Sequence, residues 1–382
     1  MNRIYLDHAA TTPLRPEVLE EMMTCYNECI GNPSSIHHHG RQARHVLNRS
    51  RDQIARLLGC KPAELIFTSG GTESDNLAIL GAMEALSPHK KHLITCRTEH
   101  HAVLHACAYM ETQGVEVTYL DVDQNGQLSL EELEGAIRPD TGLITILFGN
   151  NETGTVQPIE KIGHIAKRHD ILFHVDAVQV LGALSLNLNE LPVDYMSFSS
   201  HKINGPKGIG LLYQASHAPL QAQIHGGLQE RTRRAGTENV AGIAGFAKAV
   251  ALSLQDLSNK QQKMSALRLK MVEQLRMHVG EQEVLVNGHP EEHLPHILNV
   301  SFIGTQTEMM LMSLDMEGIS VSSGSACTSG SFEVSHVLKA MHLPEARLAS
   351  AIRISLGYDT TEKEIETSAK KIATVVLRMR NR

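Results

Sequence analysis

The sequence predicts an α/β protein whose large domain holds a mostly parallel, seven-stranded sheet between helices, joined to a smaller α+β domain. Short apolar, β-branched segments alternate with stretches of helical periodicity through the first two thirds of the chain. This alternation is typical of a parallel sheet covered on both faces. Near residue 255 the pattern changes to a polar helical stretch rich in Lys and Gln, and 382 residues are enough for two domains.

Seven segments of the first 213 residues have strand character, namely 64–68, 92–96, 115–120, 143–148, 171–175, 195–198 and 209–213. Between and before them, the stretches 41–58, 74–86 and 159–169 carry apolar residues at helical spacing. Gly59 directly follows the first of these stretches, where glycine commonly ends a helix. The alternation therefore extends over most of the predicted large domain.

The predicted large domain spans residues 14–257, and the predicted small domain combines residues 1–13 with 258–382. The second part contains an apolar strand at 297–303, a loop of small polar residues at about 322–332 and a closing helix at 362–379. A short strand at 4–6 is expected to pack onto this part of the chain. The polar stretch 255–277 is expected to be the helix that links the two domains.

Composition excludes several classes of function. The net charge of −7 and the absence of a long basic run argue against nucleic acid or an anionic membrane as partner. Charges interrupt the N-terminal region early, and the apolar stretch 241–254 contains Lys248 and is too short to span a bilayer. Six cysteines in a chain of this length do not form a disulfide framework. We therefore expect a cytoplasmic protein with free thiols.

One stretch matches a calcium-loop pattern, but we do not predict a metal site. Residues 121–132 fit the EF-hand loop in full, ending at Glu132. An EF-hand loop follows a helix, whereas a strand-like run precedes this one. A turn before a helix at Leu130 is the better interpretation. The triplet His37–His39 is likewise interpreted as part of a loop, since no residue nearby completes a ligand set.

A lysine lies just past the end of a predicted strand. Lys202 occupies a turn rich in Gly and Pro after the segment 195–198. Ligands of open parallel sheets bind outside the carboxyl ends of the strands. A lysine that forms a Schiff base needs such a place, where its amine is reachable yet partly desolvated. Taken alone, Lys202 fits a surface lysine in a turn better.

Two other predicted strands are also followed by residues that fit a ligand site at this edge of the sheet. Asp176 ends an apolar strand, and a carboxylate there needs a positive partner, which a pyridinium nitrogen would be; alone, it fits a helix N-cap. Gly70, Gly71 and Thr72 leave backbone N–H groups open at a helix N-terminus, which is a natural seat for a phosphate. This turn lacks the lysine of a nucleotide-binding loop.

Three more residues carry reactive or anion-binding groups. His100 follows a strand and is placed to stack on a flat ring or to carry protons. Arg353 lies in an apolar strand, 351–356, where it needs an anionic partner; a substrate carboxylate and a structural ion pair both meet that need. Cys327 lies among small polar residues and is expected to be exposed, as a reactive thiol must be.

Together these motifs resemble the NifS/IscS-like cysteine desulfurases, which are fold-type-I, class-V aminotransferase-like enzymes dependent on pyridoxal phosphate (PLP). The resemblance runs from YLDHAATTP at 5–13, through FGNNETGTVQP at 148–158, to RISLG at 352–356. It covers nearly the whole chain, and the combination of SSHK with SGSACTSG is its most specific part. In the segment 226–239 Leu228, Thr232 and Ala235 depart from the family pattern.

The resemblance implies PLP as cofactor, L-cysteine as substrate and roles for twelve residues. Lys202 would bind PLP as a Schiff base, Cys327 would take the sulfur as a persulfide, and His100 would stack on the ring and act as acid and base. The other implied contacts are Asp176 with the ring nitrogen, Gln179 with the phenolic oxygen, Gly71, Thr72, Ser199 and His201 with the phosphate, Thr237 with the phosphate in the neighbouring subunit, and Asn151 and Arg353 with the substrate carboxylate.

The resemblance further implies a homodimer that converts L-cysteine to L-alanine. The sulfur on Cys327 would pass to an acceptor protein of iron–sulfur cluster assembly or of tRNA thiolation. Two alternatives stay open at this point. One is a selenocysteine lyase or another PLP enzyme of the same fold, and the other, more remote, is a sulfur-carrier subunit without enzymatic activity.

Overall fold

The computed structural model describes residues 3–324 and 334–381. Its helices are α1 (Pro16–Glu28), α2 (His38–Leu58), α3 (Gly71–Ala85), α4 (His101–Thr112), α5 (Leu130–Gly135), α6 (Ile159–Arg168), α7 (Val240–Leu254), α8 (Leu257–Val279), α9 (Thr307–Met316), α10 (His336–Ala340), α11 (Glu345–Leu348) and α12 (Glu362–Arg380). Gly59 caps α2 in the left-handed conformation, with φ of 72°, which glycine adopts without steric cost. The predicted end of that helix is therefore confirmed.

The strands are β1 (Ile4–Tyr5), β2 (Leu65–Thr68), β3 (His92–Cys96), β4 (Glu116–Leu120), β5 (Thr141–Leu147), β6 (Leu172–Asp176), β7 (Tyr195–Ser199), β8 (Gly210–Gln214), β9 (Leu285–Asn287), β10 (Ile297–Ser301), β11 (Ile319–Ser320) and β12 (Ala351–Ser355). Seven of them form one sheet in the order β2-β8-β7-β6-β5-β3-β4. Only β8 runs antiparallel to its neighbours in that sheet. The predicted α/β fold with a mostly parallel, seven-stranded sheet is confirmed.

The middle of the large sheet is buried on both faces. Every residue of β3, β5 and β7 is buried, as expected of strands covered on both faces. Helices α3 and α4 pack together beside the sheet, and α6 packs against β6. Parallel strands end at the same edge, so the residues that follow β3, β5, β6 and β7 are brought together there.

A second hydrophobic core lies in the C-terminal part of the chain. Helices α8 and α12 pack against each other, and β12, β10 and β9 form an antiparallel sheet. The N-terminal strand β1 pairs in parallel with β11, and Leu6 is buried in this second core. The expected packing of the first residues onto the C-terminal part is thus present. The exact division at residues 13/14 and 257/258 stays a prediction.

The segment that matches the calcium-loop pattern is a turn preceded by strand β4 rather than by a helix. The Asp123 carboxylate accepts hydrogen bonds from the backbone N–H groups of Asn125 and Gln127, and α5 begins at Leu130. Across residues 3–324 and 334–381, no single helix is long and apolar enough to cross a membrane, although α7 and α8 reach that length as a pair bent by 72°.

Candidate active site

A cleft lies at the carboxyl ends of the parallel strands, and it gathers most of the predicted site residues. Its cavity has a volume of about 230 Å³ and opens to solvent. Its lining consists of Gly71, Thr72, Asp75, His100, Leu147, Asn151, Asp176, Val178, Gln179, Ser199, His201 and Lys202. Residues separated by more than 100 positions in the chain therefore meet in one place, as their positions at strand ends predict.

Lys202 is positioned by a short 3₁₀ turn, Ser200–Lys202, that directly follows β7. Its Nζ donates hydrogen bonds to the carbonyl oxygens of Ala9 and Ala10, at 2.6 and 2.8 Å. Burial and the nearby Arg353 guanidinium lower the pKa of Lys202 to about 8. A substantial fraction of this amine is therefore neutral near pH 8, as a nucleophilic lysine requires.

Asp176 is the last residue of β6 and is only 2% exposed. Its Oδ1 accepts a hydrogen bond from the backbone N–H of Val178 at 3.0 Å. Burial raises the pKa of Asp176 to about 6, because the charged carboxylate loses its hydration there. A carboxylate in this position is stabilised by any cation that enters the cleft.

Asp75 is a second buried carboxyl group in the cleft, and the sequence motifs did not identify it. It is 1% exposed, and its Oδ1 has no hydrogen-bond partner. Burial and the charge of Asp176 raise the pKa of Asp75 well above its ordinary value. Its spacing of three and four residues from Thr72 and Gly71 places all three on one face of α3, and this spacing was the signal available in the sequence.

The start of α3 faces a wide opening beside the cleft. Gly70, Gly71 and Thr72 line this opening together with Ser199 and His201. A Cβ on Gly71 would come within 2.7 Å of Val178 Cγ2, so only glycine fits there without displacement. The first N–H groups of a helix attract anions, and these residues are arranged as a seat for one.

The acid that follows this turn, Glu73, also lines the opening but is paired with an arginine. Glu73 accepts hydrogen bonds from Arg234 Nε at 2.8 Å and Nη2 at 3.2 Å, and another from the backbone N–H of Ser69 at 2.8 Å. Its charge is thereby compensated by Arg234. The helix N-terminus can consequently receive an anion although a glutamate lies in its first turn.

His100 and His201 are neutral at physiological pH. Burial, the Lys202 charge and neighbouring histidines lower the pKa of His100 to about 4. Burial, Lys202 and Lys207 lower the pKa of His201 to about 4. His100 caps α4, where its Nδ1 accepts a hydrogen bond from the backbone N–H of Ala102 at 3.1 Å. With Nδ1 acting as acceptor, the ring proton lies on Nε2.

Arg353 is buried next to the cleft and already has partners. Its Nη2 lies 2.7 Å from the Asp7 carboxylate, and its Nη1 donates to the backbone oxygen of Asn151 at 2.9 Å. Its Nε is buried without a partner. The structure therefore shows the ion pair that the sequence left open, and it also places the guanidinium beside Asn151 on the cleft wall.

Besides Arg353, two predicted residues are not among those that line the cleft. Thr237 is exposed on the protein surface. Cys327 lies outside the described residues, but the two ends of its segment are near each other. Ser335 Oγ donates a hydrogen bond to the buried Glu152 carboxylate. Gly324, with φ of +91°, has no space for a side chain, because a Cβ there would come within 2.6 Å of Glu152 Oε2. Glu152 thus lies against both residues that flank the segment carrying the cysteine, and it is hydrogen-bonded to one of them.

Comparison with known proteins gives consistent matches over the full length. The aminotransferase class-V family model matches residues 4–367. A "putative cysteine desulfurase IscS 1" of Bacillus subtilis (strain 168) is 49% identical over 380 residues, covering 99% of this chain and 100% of that protein. A structure described as a "NifS-like protein" matches with a TM-score of 0.92 at 39% identity, covering 98% of this chain and 100% of that one. A structure described as "SspA in complex with cysteine" matches with a TM-score of 0.80 at 38% identity, covering 92% and 98%.

Proposed function

The chain belongs to the class-V aminotransferase family, and from that premise we propose that it is a cysteine desulfurase, which takes the sulfur of L-cysteine and leaves L-alanine. The observation that carries this conclusion is the full-length match to desulfurases, combined with a cleft that holds a buried lysine and a buried aspartate. The family depends on PLP, and we propose PLP as the cofactor of this chain.

The cleft fits this cofactor. The carboxylate of Asp176, 2% exposed, offers the negative charge that a pyridinium nitrogen requires. Gly71 lies at the helix N-terminus with Val178 packed so close that a Cβ would not fit, and we place the phosphate there together with Thr72, Ser199 and His201. Gln179 is proposed to face the phenolic oxygen, and His100 the ring. When bound, PLP supplies an electron sink that stabilises negative charge at Cα of the amino acid.

The protein's own groups then carry protons and sulfur. Lys202, with its pKa lowered to about 8, and His100 are proposed to take and return protons of the substrate. The thiolate of Cys327 attacks the substrate sulfur, so that an S–S bond forms while the bond from Cβ to sulfur breaks. The electron pair stays on the substrate carbon, and a proton completes alanine. The persulfide remains on Cys327 for an acceptor.

The decisive experiment supplies L-cysteine to the purified, PLP-loaded protein. We expect alanine to form and protein-bound persulfide to appear, initially in equal amounts, because each sulfur removed occupies one thiol. Free alanine is measured by chromatography and the persulfide by mass spectrometry after alkylation. L-Serine, which has a hydroxyl in place of the thiol, serves as the control. A protein that binds PLP but forms no alanine from cysteine would contradict the proposal.

Arg353 and Asn151 are proposed to hold the substrate carboxylate. We expect Arg353→Lys to raise KM for L-cysteine about tenfold or more, with a smaller change in kcat, because lysine cannot form the planar, bidentate contact. The measurement is steady-state alanine formation over a range of cysteine concentrations.

Asp7→Asn is the matched control for Arg353→Lys. It removes the ion pair at 2.7 Å but keeps the guanidinium, so KM should stay near that of the wild type. If Asp7→Asn raises KM as much as Arg353→Lys does, Arg353 acts through its structural ion pair rather than through the substrate.

We propose that the active form is a cytoplasmic homodimer that delivers sulfur to a protein of iron–sulfur cluster assembly or of tRNA thiolation. Thr237 is exposed, as a residue must be that reaches into a partner's phosphate site. Helix α1 exposes Leu19, Met23 and Tyr26 by 48%, 51% and 61%, at spacings that place them on one face. An apolar face of this kind is typical of an interface between subunits.

A further inference from the structure

A second cleft meets the candidate active site at Lys202 and Gln179, which line both. It is formed where the N-terminal segment, the first turns of α8 and the stretches 295–296 and 356–358 come together. Its cavity has a volume of about 110 Å³ and opens to solvent. No role in the proposed reaction accounts for this space.

The lining of the second cleft is rich in cationic side chains. Among the residues that line it are Arg15, Lys260 and Lys263, and none of its lining residues is an Asp or a Glu. Burial, followed by the charge of Arg15, lowers the pKa of Lys260. Arg15 is paired with Glu17 at 3.0 Å. The acceptors of Lys260 and Lys263, by contrast, are backbone oxygens, so an anion would meet positive charge at these two lysines.

These cations keep hydrogen-bond donors available. Lys263 Nζ donates to the backbone oxygen of Tyr358 at 2.8 Å, and Lys260 Nζ donates to those of Leu252 and Ser253 at 2.5 and 3.3 Å. An ammonium group has three N–H donors, so each lysine retains at least one beyond these bonds. Carbonyl oxygens satisfy the donors but do not neutralise the charge.

His8 supplies a second, independent observation. It lines the second cleft and is 5% exposed, and its buried Nδ1 has no hydrogen-bond partner. The ring lies over Gly357, where a Cβ would come within 2.1 Å of it, so its position is fixed by close packing. A buried nitrogen without a partner is costly, and a polar ligand in the cleft would supply the missing bond.

We propose that the second cleft is a binding site for a small oxyanion, of the phosphate, sulfate or carboxylate class, held by Lys260, Lys263 and His8. The site is separate from the phosphate seat at the start of α3, and it does not depend on the desulfurase reaction. Its shared wall at Lys202 places the bound anion next to the active-site amine.

The test uses the PLP-loaded protein, so that the phosphate seat of the cofactor is filled. Inorganic phosphate is titrated calorimetrically into the wild type, into Lys260→Gln/Lys263→Gln and into the control Lys161→Gln/Lys167→Gln. The control changes two exposed lysines of α6 and removes the same charge. We expect saturable binding to the wild type and the control, weakened about tenfold or more only in the cleft variant. Sulfate and acetate, titrated in the same way, identify the preferred oxyanion.

Two results would overturn the proposal: wild type that binds none of the three anions saturably, or equal weakening in both double variants. If the double variant fails to fold, Lys263→Gln alone serves, since this side chain is exposed. Crystals of the loaded protein soaked in selenate provide a second measurement. An anomalous peak between His8 and Lys263 supports the site, and a map without one in that cleft refutes it.

Discussion

Replacing Lys202 with alanine is expected to lower alanine formation from L-cysteine by about 10³-fold or more and to end covalent attachment of the cofactor. The magnitude follows from losing both a nucleophilic amine and a proton carrier, since positioned acid–base groups alone contribute about 10²–10⁴-fold. In the structure this amine is buried at the cleft, and its pKa is lowered to about 8. Its two hydrogen-bond acceptors are backbone oxygens, and its charge also acts on the buried Asp176 carboxylate, whose pKa it lowers.

Borohydride reduction followed by mass spectrometry measures the attachment directly. The wild type should carry the cofactor mass on the peptide containing residue 202, and Lys202→Ala should not. Lys202→Arg is the matched control, because it keeps a positive charge without a nucleophilic amine. If Lys202→Arg retains turnover, the residue acts only through its charge. If Lys202→Ala still traps cofactor at another lysine with full activity, the assignment is wrong.

The fold was predictable because most strands of the large sheet are buried on both faces. Segments such as β5, with all residues buried, show as continuous apolar runs in the sequence, and their alternation with helices favours one topology. The positions of Asp176 and Lys202 followed from the same argument, since polar residues directly after such strands collect at one edge of the sheet.

Other parts of the site depend on contacts that no local pattern encodes. Asp7 pairs with Arg353 across 346 positions of the chain, and the carbonyl of Ala9 accepts hydrogen bonds from both Gln179 and Lys202. These contacts exist because β1 inserts beside β11 and leads the N-terminal segment past the cleft. The sequence indicates that the segment packs there, but its register against the active site emerges only from the assembled fold.

The ends of the cysteine segment meet at one buried acid. Glu152 is 2% exposed, and burial raises its pKa to about 7. Its carboxylate accepts a hydrogen bond from the Ser335 hydroxyl, and its Oε2 atom leaves no space for a side chain at Gly324. Gly324 and Ser335 therefore both lie against Glu152, the chain neighbour of Asn151, which lines the active-site cleft. This geometry brings the attachment points of the segment, rather than Cys327 itself, next to the proposed substrate site.

Replacing Cys327 with alanine is expected to eliminate protein-bound persulfide while PLP binding and the spectral response to L-cysteine persist. The cysteines of the chain differ in how readily they form the reactive thiolate. Among the described cysteines, burial raises the pKa of Cys25, Cys60 and Cys96 to about 12, so their thiolates are scarce at neutral pH. Burial also raises the pKa of Cys107. A cysteine among small polar residues is the better nucleophile.

Cys60→Ala is the matched control for Cys327→Ala, because it also removes one thiol but leaves the proposed nucleophile. Persulfide is measured by alkylation and mass spectrometry after a single exposure to L-cysteine, with alanine measured in the same samples. Cys60→Ala should behave like the wild type. Alanine formation that survives in Cys327→Ala at the wild-type rate would favour a lyase that needs no protein thiol, such as one acting on selenocysteine, since its substrate releases the heteroatom without transfer to the protein.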